Sequence, residues 1–358
     1  MAKNNTVRFS FIGTPVISKD GVVNEIDGKR GKMYRLHFGI KAGNDTEFVS
    51  LLDNPRDTIR TVDSDFVPMD VAWDDREDPA VLAKVARSRM YRTNVGTEDG
   101  SVKSFLSGYD FIQYLHTVLP DCKDDLTVTG VCKIRYDNKG VLRRNYDVSA
   151  VWLRRENEKP QLAMSVPFTY WKDCIDKSDL KENGKINING YVLQFASKEE
   201  GDKYLPLSVV FDTTKYNMEI PKHKALYEYK MEFVDIKDKT PHTMLWDVRV
   251  VNGAQEVEFD ESQLTKLQKM QIELGEATLD DFRPRGQIFG ARLSELRLNK
   301  PIAQGDFADG MVDTGYKLSE FEDMIAVPVK DETVADMEKS AAKTEDTKPP
   351  FEDDEELF

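Results

Sequence analysis

The chain has 358 residues, 40% of them hydrophobic and 32% charged, with a net charge of −14. That length supplies material for two or three packed cores, and the composition is that of a polar globular protein. No run approaches a membrane span, residues 1–5 are polar and unlike a leader, and three cysteines (Cys122, Cys132, Cys174) are too few and too irregular for a disulfide framework, so the expected setting is a reducing cytoplasm.

In chain order, residues 7–13 alternate as a strand, Thr14-Pro15 marks a bulge, and residues 19–21 form a turn. Strands over 33–40 and 46–52 follow, joined at Asn44-Asp45, which makes a three-stranded meander. Residues 53–107 read as an insertion. Within it Asp78-Pro79 gives the cap and first turn of a helix running towards Arg87. A clearer helix spans 107–119, with Phe111, Leu115 and Val118 on one face. A long strand over 126–136, with Gly130 inside it, turns at 137–140 into a strand over 143–153. Three strands, a helix and a hairpin is the element order of an OB-fold, a five-stranded Greek-key barrel.

A second pass begins near Lys185, with strands over 185–195, 205–211, 225–234 and 244–251, a helix over 261–274 closed by Gly275, and a last strand over 285–293. The expected fold is therefore mainly β with a few helices: OB-like antiparallel barrels, two of them, over 1–158 and 159–329. Residues 330–358 form an acidic tail too poor in apolar side chains to order itself.

No zinc spacing joins the four His and three Cys, and neither a P-loop, a dinucleotide-binding Gly motif nor a Gly-x-Ser-x-Gly elbow occurs. No metal or cofactor is expected. The acids between Asp70 and Asp78 offer ligands for Mg²⁺, and a solvated loop accounts for them as well. The remaining candidates are cations interleaved with aromatics. One cluster is Lys29, Arg30, Lys32, Tyr34 and Arg35; a second is Arg87, Arg89, Tyr91 and Arg92; a third is Lys133, Arg135, Tyr136, Lys139, Arg143, Arg144 and Tyr146, on facing strands of one hairpin. Single-stranded nucleic acid is held by this combination, cations on phosphates and rings on bases. Arg154-Arg155, Tyr170-Trp171 and Arg283-Pro284-Arg285 are weaker candidates.

The acidic balance does not exclude such a partner. Residues 331–358 hold 11 Asp and Glu against 3 Lys, a net of −8, so the rest of the chain carries only −6 of the −14. The tail ends Asp353-Asp354-Glu355-Glu356-Leu357-Phe358. An aromatic tip on a charged tether can hook a partner pocket, Phe358 filling it and the acids steering.

This tip resembles the C-terminal tails of single-stranded DNA-binding proteins, of both the bacterial and the T7-type phage families, whose acidic stretches end at an aromatic residue. It lacks the Pro of the bacterial Ile-Pro-Phe ending, and the chain lacks the zinc site of the T4-type proteins. The resemblance implies a non-sequence-specific single-stranded DNA-binding protein of phage replication type, acting in replication, recombination and repair. Its tail would recruit a polymerase, helicase or nuclease. A virion assembly protein with β-domains, or a Mg²⁺-dependent nuclease using the Asp70–Asp78 acids, are the rival readings.

Overall fold

A computed structural model describes residues 6–19, 21–28, 31–197, 201–256, 264–274, 278, 282 and 289–328. The fold is mainly β. The first half comprises β1 (Arg8–Val16), β2 (Val23–Gly28), β3 (Gly31–Ala42), β4 (Asp45–Asp53), β5 (Thr58–Val62), β6 (Pro68–Ala72), α1 (Pro79–Leu82), β7 (Tyr91–Thr93), β8 (Lys103–Phe105), α2 (Gly108–Val118), β9 (Leu126–Tyr136) and β10 (Leu142–Leu153). The second comprises β11 (Gln161–Tyr170), β12 (Ile175–Asp176), α3 (Leu180–Asn183), β13 (Lys185–Ser197), β14 (Gly201–Asp212), α4 (Pro221–Val234), β15 (His242–Glu256), α5 (Lys266–Glu273), β16 (Phe289–Pro301), β17 (Val312–Asp313) and α6 (Leu318–Glu322). All strands but the β5–β6 hairpin belong to one mixed sheet.

Two circuits of pairing run through that sheet. From β1, partners lead through β3, β4, β10 and β9 back to β1. From β11 they lead through β13, β14, β16 and β15 back to β11. In each circuit a helix, α2 or α4, lies in sequence between the third and fourth strands, and the one parallel pairing joins the third strand to the fifth: Ser50 to Asp147 and Val210 to Arg297. The circuits meet where Arg8–Ile12 of β1 pair with β9 on one side and with β11 on the other. They meet again where Asn252 donates from its backbone to Asp45 (2.9 Å) and from its side chain to Glu47 (3.1 Å). One hydrophobic core runs through both, from Phe9, Phe11 and Phe38 to Phe168, Trp246 and Phe211.

The first circuit follows the expected strands with additions. β1 runs past Pro15, which pairs with Ile40, so the chain continues where a bulge was expected. β2 is an additional strand: Asn24, Glu25 and Asp27 gave it no apolar alternation, yet it pairs with β3 along its whole length. The expected helix after Asp78 is only one turn long. Asp78 does cap it, accepting from the Ala80 amide at 2.7 Å, but Val85 is drawn instead into a small core with Ile59, Val71 and Leu106. α2 matches expectation, its first amides capped by Ser107, with Phe111, Ile112 and Leu115 buried.

In the second circuit residues 225–234 are helical, not a strand. Tyr227, Tyr229, Met231 and Phe233 alternate, but Tyr227, Lys230, Met231 and Val234 also share a helix face, and Pro221 starts the helix at its first turn. Tyr170 secures its end: its hydroxyl donates to the Phe233 carbonyl (2.8 Å) and accepts from the Trp246 indole (3.3 Å). α5 is shorter than expected and carries a capping box between Thr265 and Gln268. Residues 261–263, Gly275 and 285–288 lie outside the described residues, and β16 runs on to Pro301.

Gly130 shows how tightly β9 and β10 close. A Cβ there would lie 2.0 Å from the Asp147 carbonyl oxygen and 2.8 Å from the Phe9 ring. Gly130→Ala is therefore expected to lower stability by about 1–3 kcal/mol, read as a lower denaturant midpoint with an unchanged m-value.

Candidate nucleic-acid interface

Strand alternation sorts β3, β4, β9 and β10 into two faces. Leu36, Phe38, Ile40, Val49, Leu51, Cys132, Ile134, Tyr146 and Val148 are buried on the inner face. The outer face carries Arg35, His37 and Lys41 from β3, Phe48, Ser50 and Leu52 from β4, Lys133 and Arg135 from β9, and Arg143, Asn145 and Asp147 from β10. The register makes this one surface: Arg35 faces Leu52, His37 faces Ser50, Ser50 bridges to Asp147, Lys133 faces Asn145 and Arg135 faces Arg143.

The cations on it are only lightly engaged. Lys133 pairs with Asp147 at 2.5 Å and Arg143 with Asp137 at 2.9 Å, while Arg35 and Arg135 have no ion pair among the described residues. Exposed pairs of this kind contribute about 1 kcal/mol or less, so a phosphate competes with them easily. Two arginines directly opposite across a pair of strands repel. Arg135 and Arg143 tolerate this in an exposed position where an anion between them would relieve it.

The expected candidates are distributed unevenly. Arg35, Lys133, Arg135 and Arg143 fall on the outer face. Lys139 sits exposed at the β9–β10 turn, and Lys32, near the β2–β3 turn, pairs with Glu25 at 2.6 Å. Lys29 and Arg30 lie outside the described residues, as do Arg283, Arg285, and the tail residues Asp353, Asp354, Glu355, Glu356, Leu357 and Phe358. Arg144 points to the inner side, opposite Ile134. Arg87 and Arg89 are exposed on a short turn, but Arg92 lies half-buried over the Trp152 ring at 5.6 Å. Arg92 pairs with Ala150, seven residues along β10 from Arg143, or about 23 Å of strand, so the second cluster does not join the third. Arg154 pairs with Asp125 at 3.0 Å.

The rings are where expectation and structure part. Tyr146 is 3% exposed, with ring centroids 5.4 Å from Phe9 and 4.8 Å from Phe11, so it is a core residue and stacks on no base. Tyr34 packs edge-on to Tyr109 at 5.0 Å, Tyr91 stacks on Phe111, and Tyr136 packs against the core. Tyr170 and Trp171 are buried, Trp171 parallel to Tyr191. Strand alternation puts about half of the positions inside, and these large aromatics are the side chains that gain most from it.

An exposed ring on this face, Phe48, is not among the expected candidates. Phe48 is 45% exposed and lies nearly parallel to the His37 imidazole, at 5.2 Å and 13°. Its parity was readable: with Val49 and Leu51 inside, Phe48, Ser50 and Leu52 must face out. Glu47 obscured this by taking an inner position, where Asn252 donates to it.

Chemistry elsewhere is sparse. Of the acids between Asp70 and Asp78, Asp78 serves as a helix cap, Asp70 approaches Arg60 at 3.8 Å and Arg76 is tied to Asp110 at 2.7 Å. Among the described residues no group of three or more His, Cys, Asp or Glu is placed to hold a metal. Burial pushes the Cys132 thiol up to about 12 and the Cys174 thiol up to about 11, and raises Cys122 as well, the opposite of what activates a thiolate. No helix among the described residues is long and apolar enough to cross a membrane.

The Tyr146 hydroxyl is buried with no hydrogen-bond partner among the described residues, and burial raises its pKa far above the usual tyrosine value. Tyr146→Phe should therefore match or exceed the natural chain in stability, by up to about 1 kcal/mol, whereas Tyr146→Ala should lose about 3–5 kcal/mol; denaturant unfolding of the two variants measures both.

No protein-family model matches this chain, and no curated protein matches it in sequence.

Proposed function

We propose that this chain binds single-stranded DNA without sequence preference, through the outer face of β3, β4, β9 and β10, and that it serves phage-type replication, recombination and repair. The observation that carries the reading is the shared outward direction of Arg35, Lys133, Arg135 and Arg143, four cations from three strands, beside an exposed aromatic. Such a face gives phosphates their counter-charges and leaves bases free to stack.

The strand circuits support a finer reading of the fold, as two OB-type barrels in tandem. Each has the order first, second, third, fifth, fourth, with a helix before the fourth strand and a parallel closure between third and fifth. OB-folds bind oligonucleotides on the face of their second and third strands, between the loop joining strands one and two and the loop joining four and five. Here those are β3 and β4, the β2–β3 hairpin with Lys32, and the 137–141 turn with Lys139. The acidic tail is read as the recruiting element for replication proteins, and as a tethered polyanion competing for the same cations.

Titration of labelled oligo(dT) and of matching duplex at two salt concentrations tests the reading. Single strands should bind more tightly, with strong salt dependence. Replacing Arg135 and Arg143 together with Ala should weaken oligo(dT) binding and reduce the log–log salt slope by roughly 0.7 for each phosphate that is no longer neutralised. Equal affinity and slope in this variant would remove the face from the site.

The tail gives effects of opposite sign. Deleting residues 331–358 should tighten oligo(dT) binding, most at low salt, because a net charge of −8 is withdrawn. Phe358→Ala keeps the charge, so it should leave DNA binding near that of the natural chain while capture of phage or host replication enzymes falls sharply. Undiminished capture by Phe358→Ala would reduce the tail to a solubilising segment.

A further inference from the structure

The proposed reading leaves open which side chain meets the bases, since every tyrosine expected to do so packs inward or against another ring. We infer that Phe48, backed by His37, is the platform on which a nucleobase stacks; the inference rests on the single-strand reading and extends it to a named residue. Three observations carry it.

The first is orientation. An exposed phenylalanine usually lays its ring down on apolar neighbours. Phe48 instead lies against the flat of His37, 13° from parallel with centroids 5.2 Å apart, and stays 45% exposed. Gly39, directly opposite Phe48 across the β3–β4 ladder, makes room for this: a Cβ on Gly39 would come within 3.2 Å of the ring's Cε1. The second is the charge of the backing. Burial, and then the nearby Arg35, hold the His37 pKa below the ordinary histidine value, so the imidazole is neutral at pH 7 and the pair presents a π-surface of two uncharged rings. The third is the distance to the cations. The Ser50–Asp147 bridge sets Phe48 level with Asn145, whose partner is Lys133, about 10 Å away across two strand spacings. A nucleotide stacked on Phe48 thus has a phosphate partner within reach on β9.

The second half of the chain provides the contrast. Its outer aromatic surface, Trp171 parallel to Tyr191 at 5.5 Å with Tyr204 beside them, is closed by Phe321 of α6, which is fully buried and 4.2 Å from the Tyr204 ring. The segment is clamped there by backbone bonds from Tyr204 to Met324 (3.0 Å) and from Ala326 to Tyr204 (2.9 Å). Its outer cations are matched internally, Arg297 with Asp212 at 3.3 Å and Lys185 with Glu295 at 3.2 Å. One ring on that face does stay open, Phe195 at 67% exposure, but it stands opposite Asp202, whereas Phe48 has lightly engaged cations on the neighbouring strands of its face.

The test compares oligo(dT) with an abasic oligonucleotide of the same length, against the natural chain, Phe48→Ala and Phe48→Trp, at two salt concentrations. Phe48→Ala should bind oligo(dT) about 5- to 150-fold more weakly with an unchanged salt slope, and should bind the abasic strand like the natural chain. Phe48→Trp should keep oligo(dT) affinity, and the fluorescence of the added indole should be quenched by oligo(dT) and not by the abasic strand. Equal oligo(dT) affinity for Phe48→Ala and the natural chain overturns the platform alone and leaves single-strand binding standing. A natural chain that binds neither oligonucleotide overturns both. Loss of abasic binding in Phe48→Ala, or an indole in Phe48→Trp that does not respond to oligo(dT), places Phe48 in the scaffold and overturns the platform.

Discussion

Everything in this fold is hung on β1. Its residues Arg8–Ile12 are hydrogen-bonded on both edges, to β9 and to β11, and its far end, Thr14–Val16, changes partner to β3. A strand of nine residues thus serves three neighbours. Phe9 and Phe11 project from it into the core beside Tyr146, and Phe9 lies across the space that Gly130 leaves empty. Backbone pairing on both sides removes the freedom of this strand to slip by one residue, a slip that would turn Phe9 and Phe11 outwards. The outer face of β3, β4, β9 and β10 is held in register because two of its four strands are bonded directly to this one.

That face is an electrostatic compromise. In a body of net −6 the acids are not excluded from it; Asp147 and Asp137 sit among the cations and pair with them. Without those acids, Arg135 and Arg143 would confront one another at full strength. With them the free protein is stable, and the exposed pairs are weak enough to be exchanged for phosphate. In the second half, Arg297, Lys185, Asp212 and Glu295 satisfy one another in a less exposed setting, where exchange is harder. The same residue types therefore give an open surface in one half and a closed structural cluster in the other.

The sequence was most legible where period and punctuation agreed. Ser107 before an apolar helical stripe marked α2, and Asp137 with Gly140 between alternating runs marked the β9–β10 hairpin. It was least legible where one set of letters fits two periods, as in 225–234. There Tyr170, 63 residues from Phe233, holds the end of the helix, and the Trp246 indole in turn holds the Tyr170 hydroxyl. Candidate cations on β3, β9 and β10 were legible because exposure is the default for Lys and Arg. The rings were not, because an aromatic at an alternating position serves core and surface equally well until parity is known. Parity around Phe48 was hidden by one inward carboxylate, Glu47, whose partner Asn252 lies 205 residues away.

That hydrogen bond and the shared β1 also bear on modularity. By tracing, the chain divides into two complete circuits, an invitation to express each as a fragment. Severing between β10 and β11 would strip one whole edge from β1 and one from β11, five residue pairs in all, and would leave the Glu47 carboxylate without Asn252 beside the core. Bare strand edges of that length recruit other chains. The two circuits are thus separable on paper and interdependent as objects, each acting as the edge protection of the other.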